Sequence, residues 1–175
     1  DQPLTGDGLA LLQGAQSVAT RVERALRSRG FYSAQVTATV DGRSIADASA
    51  LDAIEARPEA EPVPISISVD TGPRFRISEV AIRPSGAMTS LPGVDRDKLG
   101  IAVGDPADAA TILAAQDKLL TELRAQGFAL AAVQKRDVVV DHATQKAEVT
   151  FVVETGPVSK MGAVRFSGTE KIDTT

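Results

Sequence analysis

The phrase Thr71-Gly72-Pro73-Arg74-Phe75-Arg76-Ile77-Ser78-Glu79-Val80-Ala81-Ile82 returns as Thr155-Gly156-Pro157-Val158-Ser159-Lys160-Met161-Gly162-Ala163-Val164-Arg165-Phe166, a shift of 155 − 71 = 84 residues. The threonine, glycine, proline and valine are identical, and the cation (Arg76, Lys160) and the apolar residue after it (Ile77, Met161) keep their type. A phrase repeated at domain-sized spacing marks the joint between copies of one small unit. Arrays of such units present binding surfaces more often than catalytic centres.

A second periodicity lies inside the copies. Leu11, Leu12, Ala15, Val18, Val22, Ala25 and Leu26 recur at three- and four-residue steps, with Arg21, Arg24 and Arg27 on other faces, which predicts an amphipathic helix over 9–29. Gly30-Phe31 closes it, since glycine takes the left-handed conformation cheaply. Adding 97 maps Leu12, Ala15, Val22, Leu26, Gly30 and Phe31 onto Ala109, Ile112, Leu119, Leu123, Gly127 and Phe128, a second helix expected over 107–126 with Asp105 as N-cap and Pro106 at its first position.

Each helix is followed by extended chain. Val36, Ala38 and Val40 alternate with polar residues, as do Ile65, Ile67 and Val69, whose counterparts 84 residues on are Val149, Phe151 and Val153. The strand from Ala132 to Val140 breaks phase between Val133 and Val138, predicting a bulge near 135–137. The two shifts differ by 97 − 84 = 13, so copy one holds thirteen extra residues within 41–64. That stretch ends in Arg57-Pro58-Glu59-Ala60-Glu61-Pro62-Val63-Pro64 and reads as a solvated, disordered hairpin loop, with room for a helical turn around 48–56. With a strand over 75–82 and a short helix near 94–99, copy two reads β-α-α-β-β, an α+β unit. Copy one lacks the first strand, and 158–175 holds the first strand of a third copy. The chain therefore reads as a piece of a longer protein.

A β-α-α-β-β unit with Arg29-Gly30-Phe31-Tyr32 or Gln126-Gly127-Phe128 closing its helix, Val149–Pro157 ending its last strand and Met161–Gly168 opening the next resembles the POTRA domains, the repeats that precede the barrel of Omp85-superfamily proteins. Within that superfamily the pattern is most similar to the TamA family. BamA-type, two-partner secretion and cell-division proteins use the same module and stay open as alternatives. The resemblance implies tandem three-stranded mixed sheets, each with two helices on one face. The expected modules are 1–73 (first strand missing), 74–157 (complete) and 158–175 (truncated). It also implies a periplasmic docking scaffold in a Gram-negative bacterium, tethered to an outer-membrane barrel outside this sequence. Its partners would be unfolded outer-membrane clients or a periplasmic or inner-membrane protein, TamB-like if the TamA resemblance holds.

The residues themselves offer little catalytic chemistry. His142 is the only histidine, in the polar turn Asp141-His142-Ala143-Thr144, and reads as exposed with no spacing of partners that suits a metal. A small periplasmic hydrolase remains the remote enzymatic alternative, requiring His142 and carboxylates to converge in a closed pocket. No cofactor or metal is expected, and the chain is read as non-enzymatic. With no cysteine, disulfides and thiolate chemistry are excluded. A net charge of −4 argues against nucleic acid as partner. Glycines 72 and 156 join strands rather than opening helices, so no phosphate cradle is implied.

What remains is backbone chemistry. The second strand of a β-α-α-β-β sheet is paired on one side only, so an extended segment can add to it. The expected docking edges are Val36, Thr37, Ala38, Thr39 and Val40 in copy one and Val133, Val138, Val139 and Val140 in copy two. The expected joint residues are Asp70, Thr71, Gly72, Pro73, Glu154, Thr155, Gly156 and Pro157, with the two carboxylates accepting backbone or arginine hydrogen bonds.

Overall fold

The computed structural model describes residues 8–58, 61–86, 90–160 and 162. In order, the elements are α1 (Gly8–Ser28), β1 (Gln35–Val40), β2 (Arg43–Ser44), α2 (Ser49–Glu55), β3 (Ile65–Asp70), β4 (Arg76–Pro84), a 3-10 turn (Arg96–Leu99), α3 (Ala109–Ala125), β5 (Ala132–Asp141) and β6 (Lys146–Glu154). The strands form two three-stranded sheets, ordered β2-β1-β3 and β4-β6-β5. The second is mixed: β6 is central, parallel to β4 and antiparallel to β5. The α+β reading holds, but only one sheet is mixed as expected: in the first, β1 is antiparallel to both β2 and β3, because each of its connections returns the chain alongside it. The expected strand over residues 158–175 falls mostly outside the described residues.

The period-2 and period-3.6 patterns meet in the second core. Val149, Phe151 and Val153 of β6 face Ile112, Leu119 and Leu123 of α3, and all six are buried. A fully buried aliphatic or aromatic side chain contributes about 1.5–3 kcal/mol, so this face alone dominates the sheet's stability. The bulge expected near 135–137 lies slightly earlier. The register with β6 shifts between Val133 and Lys135, leaving Gln134 as the extra residue and turning Val138 and Val140 toward the core.

The start of α3 differs from expectation. Asp108, not Asp105, is the N-cap, its Oδ1 accepting from the Thr111 N–H at 2.8 Å. The cause is a long-range contact. After a turn at Gly104, Asp105 to Ala107 pairs with the start of β4, with Ile77 N–H donating to the Asp105 carbonyl and Ala107 N–H to the Phe75 carbonyl. Asp105 instead closes a turn, its Oδ2 accepting from Ala102 N–H at 2.8 Å.

The 41–64 insertion is the larger correction. Outside 59–60, which the structure does not describe, it is built rather than disordered. Asp41 and Gly42 both have positive φ (51° and 75°), the combination a two-residue hairpin turn needs, and they fold β2 back on β1. The chain then forms α2, whose Ala50 is fully buried and whose Ile54 joins Ala15, Ala19, Ala38 and Val40 in the first core. The insertion thus gives copy one its second helix. Arg57 ties the far end down through Asp41 at 2.8 Å.

Candidate functional site

The glycine that closes each helix and the T-G-P phrase meet in the same way in both copies. Phe75 N–H donates to the Gly30 carbonyl at 2.8 Å, and Ser159 N–H donates to the Gly127 carbonyl at 2.8 Å. Both pairs are related by the two sequence shifts together. Gly72 and Gly156 have φ of 57° and 65°, a left-handed conformation open to glycine at little cost. A Cβ on Gly156 would also come within 3.1 Å of Leu130, while one on Gly72 would meet Ser33, the counterpart of Leu130, at an ordinary 3.5 Å. Thr71 and Thr155 each turn the hydroxyl onto the following glycine carbonyl, at 3.2 and 3.1 Å. The prolines are exposed.

The two carboxylates diverge. Asp70 accepts from the Gly72 N–H at 3.0 Å and so closes the turn as expected. Glu154 instead accepts from the bulge residue Gln134 at 2.6 Å, across the sheet. The backbone acceptance expected of Asp70 therefore has no twin in Glu154.

Around the first joint lies a cluster that the repeat alone does not reveal. Arg74 donates to the Arg29 carbonyl at the end of α1 (2.8 Å) and to the Asp108 carboxylate that caps α3 (3.1 Å), and its guanidinium lies 5.9 Å from the Phe31 ring centre. It links a negative helix end to a capping carboxylate, both sites that favour a cation. Tyr32 packs edge-on against Phe75, centroids 5.4 Å apart, and its hydroxyl donates to the Ala107 carbonyl at 2.9 Å. Burial, then the Asp108 charge, pushes the Tyr32 hydroxyl above its ordinary value. His142 is exposed in the β5–β6 turn, as expected, yet it also sits edge-on to Phe75 at 5.3 Å with Nδ1 3.1 Å from the Ser33 hydroxyl. The signal was present where the copies differ: Tyr32, Ser33, Arg74 and Phe75 stand against Ala129, Leu130, Val158 and Ser159.

The two expected docking edges are unequal. β5 is the outer strand of its sheet, and Val139 is 62% exposed while Val133, Val138 and Val140 pack on the core. Arg136 reaches from β5 to the Gln116 side chain of α3 at 2.8 Å, spanning the groove between strand and helix. In copy one, β2 pairs with Thr39 and Val40, and Ile45 N–H donates to the Ala38 carbonyl. Among the described residues, only the start of β1, around Val36 and Thr37, has no strand beside it on that side. The tight Asp41-Gly42 turn is the reason.

No helix among the described residues is long and apolar enough to cross a membrane. Among the same residues no group of three or more His, Cys, Asp or Glu is placed to hold a metal ion. The arrangement offers paired backbone, a strand edge and a shallow groove, rather than converging titratable groups.

Residues 93–156 match the POTRA family model, described as surface antigen variable number repeat. The match runs from just before the 3-10 turn through α3 and β5 to the glycine after β6. No curated protein matches the chain. Among solved structures, the chain is similar to Haemophilus influenzae BamA POTRA3-5, at 18% identity and a TM-score of 0.46, over 82% of this chain and 50% of that one. It is also similar to H. influenzae BamA POTRA4, at 18% identity and a TM-score of 0.39, over 49% of this chain and 95% of that one. The chain thus spans about half the length of the BamA POTRA3-5 structure it matches.

Proposed function

We propose that this chain is a tandem POTRA scaffold, with modules at 1–73, 74–157 and 158–175, that docks extended protein segments by adding them as strands. The reading places it in the periplasmic part of an Omp85-type outer-membrane assembly factor, with TamA as the finer assignment and a TamB-like protein or unfolded barrel clients as partners. It acts without enzymatic chemistry. The observation that carries this reading is the β5 edge: an outer strand beside α3, with Val139 exposed, inside the stretch that matches the POTRA family. An incoming strand gains main-chain hydrogen bonds there and selects side chains through the groove against α3. One such edge gives weak binding, so repetition along an array supplies the avidity.

The test is deletion of residues 8–157 from the intact protein, with folded client barrels in the outer membrane as readout. The scaffold reading expects client assembly to fall while the protein's own barrel still inserts. Unchanged client assembly would sink it.

A further inference from the structure

Along β5 a cation stands where the alternation calls for an apolar residue. Arg136 lies opposite Phe151, as Val138 lies opposite Val149, so its side chain leaves β5 on the face that packs against α3. There it is exposed, and its Nη1 donates to the Gln116 side chain at 2.8 Å. Gln116 is neutral. Among the described residues no carboxylate comes within ion-pair distance of Arg136. The acidic groups nearest in the sheet are engaged elsewhere: Asp137, on the opposite face, pairs with Lys135 at 2.9 Å, and Glu154 accepts from Gln134 at 2.6 Å.

The facing helix offers no carboxylate on the same line. Leu113, Gln116, Leu120 and Arg124 recur at three- and four-residue steps, and the Gln116 contact sets that stripe along β5. Asp117 is turned about 100° away from it. Leu113 is 44% exposed, and Arg124 is exposed and without an ion pair among the described residues. A strand laid on β5 would place alternate side chains over the stripe about 6.6–6.8 Å apart, against roughly 4.5–6 Å between the stripe's own residues. Successive groove-facing side chains therefore meet Leu113 and then Arg136.

We infer that the β5 groove selects an extended protein segment that carries a carboxylate among its groove-facing apolar side chains, and that Arg136 reads the carboxylate. The guanidinium gives one of its N–H groups to Gln116, which holds the fork in place, and a carboxylate can take two of the others at once. The chain's net charge of −4 opposes this little at contact, because charges beyond about 8 Å are screened at physiological salt. The inference rests on the proposed role of β5 as a docking edge and adds a side-chain preference to it.

Three dye-labelled peptides of alternating valine and serine, differing only in carrying Glu, Gln or Lys at one central valine position, test it by fluorescence anisotropy. The Glu peptide should bind tighter than the Gln peptide by about three- to tenfold, with Lys weakest. Salt at about 0.5 M should erase the difference between Glu and Gln while the Gln peptide keeps its affinity. Arg136→Gln should bind Glu and Gln peptides alike, and Arg136→Glu should put the Lys peptide first. An arginine that only braces the groove would move all three peptides together. The salt series uses the parent chain, so it decides whether or not either variant folds. Glu and Gln peptides that bind equally while protecting β5 amides overturn the inference and leave the docking edge standing, as does a Glu preference that survives in Arg136→Glu. Failure of all three to bind overturns both.

Discussion

Tyr32 is the chain's single tyrosine, so its absorbance reports on the first joint without interference. Burial and Asp108 raise its hydroxyl pKa above the ordinary 10.0. Its contribution to stability is therefore complete below pH 10 and is lost as pH rises through the folded value. An ultraviolet titration should show ionisation later than in the unfolded chain, and Tyr32→Phe should remove the alkaline slope at a cost of about 0.5–1.5 kcal/mol. A normal titration would mean that the hydroxyl is neither buried nor close to the Asp108 charge. The glycines of the two joints separate by the same logic. Gly156→Ala carries both a left-handed backbone and a close approach to Leu130, whereas Gly72→Ala carries the backbone alone. Thermal denaturation should show Gly72→Ala costing about 1 kcal/mol and Gly156→Ala more. At this scale the sequence marked the glycines, because a repeated T-G-P is local. It did not mark Tyr32, Arg74 and His142 as one cluster, because residues so far apart in the chain are joined only by the docking of the copies.

Among the elements, α2 separates a built insertion from a solvated one. Ile54 is 8% exposed in the first core, so Ile54→Ala should lower stability by about 2–4 kcal/mol in denaturant unfolding. A loop lying in solvent would show almost no loss. Asp108→Ala should cost about 1 kcal/mol by uncapping α3, and more if the Arg74 contact fails with it. Element types were legible wherever the period was long: α1, α3, β3 and β6 follow directly from apolar spacing. The Asp41-Gly42 turn was also written in the sequence, as a dipeptide suited to positive φ, yet the prolines that follow favoured a disordered reading. The helix start at Asp108 was not legible. Asp105-Pro106 has the local form of a cap, and what displaces it is pairing of 104–107 with β4, a contact between distant residues.

At the scale of the whole molecule, the described residues form two cores of unequal size. Fourteen buried side chains, Phe75 and Phe151 among them, form the second, and five, three of them alanine, form the first. The smaller core leans on the joint, so hydrogen exchange should open β1 and β3 before β6, and Arg74→Ala should widen that gap. The repeat itself is legible at two shifts, β6 and β3 sharing a pattern at one and α3 and α1 at the other. The free edges were legible only in part. β5 is outermost in its sheet, but β2 covers part of β1 and β3 pairs with β1 alone among the described residues, and neither follows from apolar spacing. The central claim, that the β5 edge accepts an added strand, is tested most directly by amide hydrogen exchange with a synthetic barrel-strand peptide of ~10 alternating apolar and polar residues. Bound peptide should slow the outward amides of 132–141 and leave β6 unchanged. Peptide that binds while protecting only other surfaces, or fails to bind at millimolar concentration, would contradict the account.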